Sequence, residues 1–356
     1  MKKTLLLIIL SWLIQTNSIA QNLDSLWSVW QDKSKPDTSR LLALQIYSWD
    51  GYLYTQPDSA YYFAQLQYNF AQSKGLKKFV AGALNTIGTS YSLRGEYPQA
   101  LKNYLECLKF KEELGDIQGV GRTYNSIGNV YRNQSNYPKA LEYYFKSLKI
   151  VEKFDDKYDI GLTLGNIGAV YADQSDYTKA LEYYEKDLKI SEELGYDFGV
   201  SISLSNIGAL YDTKKEYVTA LDYYFKSLEI AEKIDDKLGI GITLGNIGNV
   251  YKALVEYPKA LEYYLRSLKM YEEIGDTQGI GVIHGNMGEL YTKMGNYKKA
   301  EFHLTKGLKI CQEIGASNFE KDYHSYLSVL YEKTNQPALA LEHYKSYISL
   351  RDTIYS

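Results

Sequence analysis

The sequence predicts an all-α solenoid of antiparallel helix hairpins. Three observations predict it: a forty-residue period, helical spacing of apolar residues within each period, and turn chemistry at fixed places between them. Six glycines share one column, Gly88, Gly128, Gly168, Gly208, Gly248 and Gly288. Three residues on lie Tyr91, Tyr131, Tyr171, Tyr211, Tyr251 and Tyr291, and nine further lie Ala100, Ala140, Ala180, Ala220, Ala260 and Ala300. A seventh copy keeps Tyr331 and Ala340 with Ser328 in the glycine column, and a degenerate earlier copy keeps Ala60.

The first 20 residues are read apart from the repeats. Lys2 and Lys3 precede an apolar run from Leu5 to Ile14, and "SIA" at 18–20 offers a small-residue cleavage site. The run is too short for a ~30 Å hydrocarbon core, so residues 1–20 are expected to be a signal peptide rather than an anchor. No cysteine follows it, so a lipid anchor is not indicated. The expected mature chain begins at Gln21 and is exported, periplasmic or secreted, and no later stretch is apolar and long enough to span a membrane. Residues 21–37 hold an expected capping helix, near Leu23 to Gln31, and a linker. Residues 38–75 form the degenerate hairpin, 76–350 seven regular ones, and 351–356 a tail.

Each regular copy encodes two helices. In the first, Leu244, Ile247, Gly248 and Tyr251 stand at i, i+3, i+4 and i+7, one apolar stripe. In the second, Ala260, Tyr264, Leu268 and Tyr271 keep helical spacing. Between them "VEYP" supplies a turn and places Pro258 in a first helical turn, where its missing N–H costs little. Asp276, after "EEIG", is placed to cap the next helix.

The string "GIGITLGNIG" at 239–248 has the outline of a phosphate-binding turn, but a helix rather than a strand precedes it, and it recurs every forty residues. A packing role fits better. Glycine inside a helix costs about 1 kcal/mol relative to alanine, so a column of six needs a compensating gain. The expected gain is close approach of the second helix, with the Ala260 column facing the glycines. Gly245 varies to Asn85, Asn125 and Ser205 in other copies and is expected to tolerate alanine.

At these columns the chain resembles the tetratricopeptide repeat. The family pattern is read as Leu164, Ile167-Gly168, Tyr171, Ala180 and Tyr184. Its final alanine is replaced by Cys107, Ser147, Asp187, Ser227, Ser267 and Gly307. The forty-residue spacing is similar to the longer-helix variety of polarity adaptors and kinesin light chains. The resemblance covers residues 38–350 and implies a right-handed superhelix whose first helices line a concave groove. The chain also resembles the exported repeat region of bacterial receptors that continue into a membrane helix and a kinase or cyclase output. A free-standing exported adaptor is the alternative.

The composition excludes other classes. A net charge of −3, or −5 without the leader, offers no basic footprint for nucleic acid. The 37 tyrosines, against 10 Phe and 4 Trp, follow the repeat columns rather than mark a stacking platform. His284, His303, His324 and His343 lack metal-site spacing, and His284 reads as a packing histidine. Asp155–Asp156 and Asp235–Asp236 read as turn and cap residues, and no nucleophile motif is present. No catalytic residue, metal or cofactor is expected. Cys107 and Cys311 lie about five repeats apart and are expected to stay unpaired.

The resemblance points to a protein or peptide ligand in the concave groove. The groove positions it implies are Arg122, Asn125, Asn129, Arg132 and Asn133 in one repeat, then Leu162 and Ala169, then Ile202. Asn249, Lys252, Glu289 and Lys293 return polarity further on. The arginines suit an acidic group and the asparagines a peptide backbone. The family's carboxylate-clamp lysine is absent: its column holds Asn, Gly or Ser.

Overall fold

The computed structural model describes residues 23–53 and 56–355, so the expected signal peptide lies outside the described residues. Every regular element among them is an α-helix. The chain divides into two compact units, residues 1–175 and 176–356.

The first unit holds α1 (residues 23–31), α2 (Asp37–Tyr52), α3 (Pro57–Ser73), α4 (Lys77–Leu93), α5 (Tyr97–Glu113), α6 (Ile117–Asn133), α7 (Tyr137–Lys153) and α8 (Lys157–Asp173). Helix α1 sits where the capping helix was expected. Trp27 packs on Tyr47 and Phe63, Trp30 on Phe70, and the Arg40 Nε donates to the Trp30 carbonyl at 2.9 Å. The second unit holds α9 (Tyr177–Glu193), α10 (Asp197–Thr213), α11 (Tyr217–Lys233), α12 (Lys237–Ala253), α13 (Tyr257–Ile274), α14 (Thr277–Lys293), α15 (Tyr297–Glu313), α16 (Ser317–Lys333) and α17 (Pro337–Tyr355). Helix α17 continues to Tyr355, so the expected tail is helical almost to its end. Residues 351–355 contain neither glycine nor proline to stop it.

Most helices from α3 to α16 have 17 residues and end in the same way. A residue in the left-handed region recurs at 75, 95, 115, 135 and onward in steps of twenty to 335. The next N–H then closes on the last helical turn, as Glu256 N–H does on the Tyr251 carbonyl at 2.9 Å. Glycine fills seven of these positions, and Ser, Asp, Lys, Asn and Val fill the rest. Val255, at φ +64°, is the strained member, because a β-branched side chain is penalised there. Helix starts are capped in turn: the Asp116, Asn136, Asp236, Asp276 and Asn296 carboxylate or amide oxygens accept from the backbone N–H three residues on.

The core of each hairpin lies between its two helices. Ala100, Ala140, Ala220, Ala260 and Ala300 are fully buried, as are Ile127, Ile207 and Ile247. What stands nearest the glycine column is a side chain further along the second helix. A Cβ on Gly88, Gly128, Gly208 or Gly248 would stand 2.9, 2.5, 2.9 or 2.6 Å from the ring of Tyr104, Tyr144, Tyr224 or Tyr264. At Gly288 the partner is Leu304. The bare backbone is the seat of a buried ring sixteen residues on, a neighbour the column pattern did not name. Cys107 and Cys311 are buried free thiols.

Candidate peptide-binding faces

In each unit successive first helices approach one another: α2, α4, α6 and α8 in the first, and α10, α12, α14 and α16 in the second. Successive second helices do not. Stacks closer on one side bend toward it, so within each unit the first helices line the inner face.

On the inner face of the first unit, the expected ligand donors are engaged with the neighbouring hairpin. The Arg122 Nε donates to Asp159 Oδ2 at 2.5 Å and its Nη2 to Asp156 Oδ2 at 3.1 Å. The Arg132 Nε donates to Asp173 Oδ2 at 2.7 Å. Asn125 is buried, and its Oδ1 accepts from the Asn166 amide at 3.1 Å. The Asn129 Oδ1 accepts from the Tyr144 hydroxyl at 2.6 Å. Asn133 and Leu162 are exposed and Ala169 is half-buried. Arg122 and Arg132, expected to meet an acidic group of a ligand, are instead paired with carboxylates of this chain's own next hairpin. Asp159 is nearly buried, and its desolvation holds its pKa above the usual carboxylate range despite Arg122. The Asp159 hydrogen bond in turn holds the Arg122 guanidinium more firmly protonated. Truncating Arg122 would strand that carboxylate, so an alanine there confounds binding with stability.

The second unit offers a different surface. Ile202 on α10 is 43% exposed, and so, at 44%, is Ile242 on α12. One turn earlier on the same helices Phe198 and Leu238 are exposed as well. These pairs stand at i and i+4, one face of each helix. The repeat column of Ile202 already contained Ile242, and the column of Tyr158 contained Phe198 and Leu238. The sequence reading missed these three because a burial argument assigns exposed apolar residues to no particular face. Polarity does return toward the C-terminal ends of α12 and α14. There the Lys252 Nζ donates to Glu289 Oε2 at 2.6 Å, and Lys293 lies 3.2 Å from the other Glu289 oxygen. Burial by itself would raise the Glu289 pKa, but the two lysines together outweigh it and hold the pKa below the usual range. The Asn249 Oδ1 accepts from the Tyr264 hydroxyl at 2.6 Å.

Among the described residues no group of three His, Cys, Asp or Glu side chains is placed to hold a metal ion, and no helix is long and apolar enough to cross a membrane.

Stacked helix hairpins with exposed apolar side chains on their first helices define a helical-repeat scaffold. The tetratricopeptide repeat profile matches residues 79–153, 119–193, 159–233, 200–273 and 279–353, and the chain belongs to that family. No curated protein matches it in sequence. Among solved structures it is similar to a Rap protein complexed with Competence and Sporulation Factor (TM-score 0.62, 16% identity, 95% of this chain and 99% of that one). It is also similar to the apo form of the quorum sensor NprR from B. thuringiensis (0.64, 16%, 94% and 99%). A third is aspartyl phosphate phosphatase F from Bacillus subtilis (0.65, 12%, 94% and 94%). At these identities the likeness is one of fold.

Proposed function

We propose that the chain is a non-catalytic peptide-binding scaffold that works outside the cytoplasm as the sensory or adaptor part of a signalling system. The observation that carries the binding reading is the exposed stripe of Phe198, Ile202, Leu238 and Ile242 along the first helices α10 and α12 of the second unit. Exposed apolar side chains grouped on one face favour an apolar ligand surface, and nothing in the hairpin's own packing requires them there. A peptide with apolar side chains on one edge suits this stripe, and the Lys252–Glu289–Lys293 cluster suits polar groups at its end. The likeness to a Rap protein bound to Competence and Sporulation Factor supports a peptide over a small metabolite. Leu162, Ala169 and Asn133 on the first unit offer a second, smaller face.

Peptides selected from a random display library against the chain are expected to be rich in apolar residues. Ile202→Asp/Ile242→Asp should weaken them at least tenfold, while Leu265→Asp, on an exposed second-helix position, should not. Retained affinity in the double variant, or failure to select any peptide, refutes the reading. The extracytoplasmic placement rests on the charged, apolar and small-residue order of the first 20 residues. N-terminal sequencing of native protein should find Gln21 first, and an intracellular species starting at Met1 would count against it.

A further inference from the structure

Four histidines fall into two pairs with one geometry. His284 on α14 faces His303 on α15, and His324 on α16 faces His343 on α17, each with Nδ1 atoms 2.8 Å apart. Both pairs span a hairpin, forty residues apart, at columns that hold Leu or Tyr in most other copies. Each second ring is held by a tyrosine: Tyr291 stacks on His303 and Tyr331 on His343, both with centroids 5.4 Å apart.

We infer that the His324–His343 pair is a two-imidazole site for a divalent transition metal of the Cu2+ or Ni2+ type, and that the His284–His303 pair is its metal-incompetent structural twin. Metal–nitrogen bonds of about 2.0–2.1 Å meeting at a right angle place two nitrogens roughly 2.9 Å apart, whereas a tetrahedral pair needs about 3.4 Å. The observed separation matches the square or octahedral cis arrangement. Imidazole is the ligand these ions favour, and water completes the shell on the half-buried His343 side.

Proton placement separates the twins. An Nδ1···Nδ1 hydrogen bond between neutral rings carries one proton, so one ring is the Nδ1–H tautomer and the other Nε2–H. A metal bound between the two Nδ1 atoms requires both rings as Nε2–H. The shared proton leaves Nδ1 through solvent and an equal one returns to Nε2 of the same ring. Two metal–water bonds are exchanged for two metal–nitrogen bonds, with no net proton change. For His324 the new Nε2–H faces Glu320, whose Oε1 lies 3.8 Å away, the outer-shell carboxylate that commonly orients a ligating histidine. The His284 Nε2 is buried with no partner. Placing a proton there leaves a buried N–H unmet, so His284 is held as the Nδ1–H donor and its lone pair is unavailable.

The surrounding charge acts in the same direction. Burial first, then Lys306 and His303, push the His284 pKa down to about 4, and burial with Lys306 and Lys299 lowers that of His303. Glu320 and Glu342 face the His324–His343 pair. A dication is repelled at the first and attracted at the second.

The test is calorimetric titration of the full chain with NiCl2 in a non-coordinating buffer. One Ni2+ per chain is expected, with His343→Gln weakening it at least tenfold and His303→Gln leaving it within twofold. Glu320→Gln, which spares both ligands, should weaken it severalfold, so the proposal stays testable even if a histidine variant folds poorly. Cu2+ loaded at one equivalent should show two nitrogen donors by electron paramagnetic resonance in wild type and one in His343→Gln. Absence of Ni2+ uptake, uptake unchanged in His343→Gln, or equal losses in His303→Gln and His343→Gln would overturn the assignment.

Discussion

Gly248→Val is expected to destabilise the second unit by about 1–3 kcal/mol or more, the range of an overpacked core. The added Cβ would lie 2.6 Å from two ring carbons of Tyr264. That ring cannot yield easily: Tyr264 is fully buried, and its hydroxyl is tied to Asn249 at 2.6 Å. Gly248→Ala should move the melting curve in the same direction by less. Gly245→Ala is the contrast, since its Cβ would meet only the tip of Ile283 at 3.2 Å and the Ser267 hydroxyl at 3.5 Å. A small shift of that methyl is cheap, and the helix-propensity gain of about 1 kcal/mol offsets it. Urea or thermal melts of the three variants decide the matter. Equal shifts for the two alanine variants would mean that the glycine column has no special packing duty.

Asp187→Ser is expected to stabilise the protein, and to do so only above mildly acidic pH. Asp187 on α9 is 8% exposed and has hydroxyl partners, Ser203 at 2.8 Å and Ser191, in place of a cation. Burial raises its pKa to about 6, against the small lowering that the two serines supply. The sign follows from linkage. The folded state binds the proton more tightly than the unfolded chain, so the carboxyl is tolerated below about pH 4, and stability falls as pH rises toward 6. A shift of about two units corresponds to roughly 3 kcal/mol at pH 8. Serine occupies the same column at 147, 227 and 267, buried each time, so the replacement fits the site. Melting temperatures of wild type and Asp187→Ser should diverge between pH 4 and 6.5 and run parallel above. A constant difference across that range would show that the carboxyl is not desolvated as its surroundings indicate.

Burial raises the pKa of Asp159 as well, but there a cation offsets part of the cost. Both lie at nearly buried positions, but Arg122 reaches Asp159 from the preceding hairpin, whereas serine hydroxyls alone reach Asp187. Neither relation was legible in the residue order. Arg122 and Asp159 are 37 positions apart, and nothing in the forty-residue register marks them as a pair.

The residues by themselves determined everything that depends on near neighbours along the chain. Helix length, the left-handed stop every twenty residues, the Asp and Asn caps and the hairpin register all arise from interactions within about five positions. Those spacings are visible in the letters, which is why the two-helix repeat and the family could be read from them. The tertiary structure alone decided what meets what across helices: that Gly248 seats the ring of Tyr264, that Arg122 and Arg132 hold neighbouring hairpins together, that Ile242 extends an exposed stripe, and that four scattered histidines form two pairs. Contacts of this kind turn on the direction a side chain takes from its helix and on how closely two helices approach. A shift of an ångström in that approach exchanges one partner for another, and the column pattern carries no information at that scale.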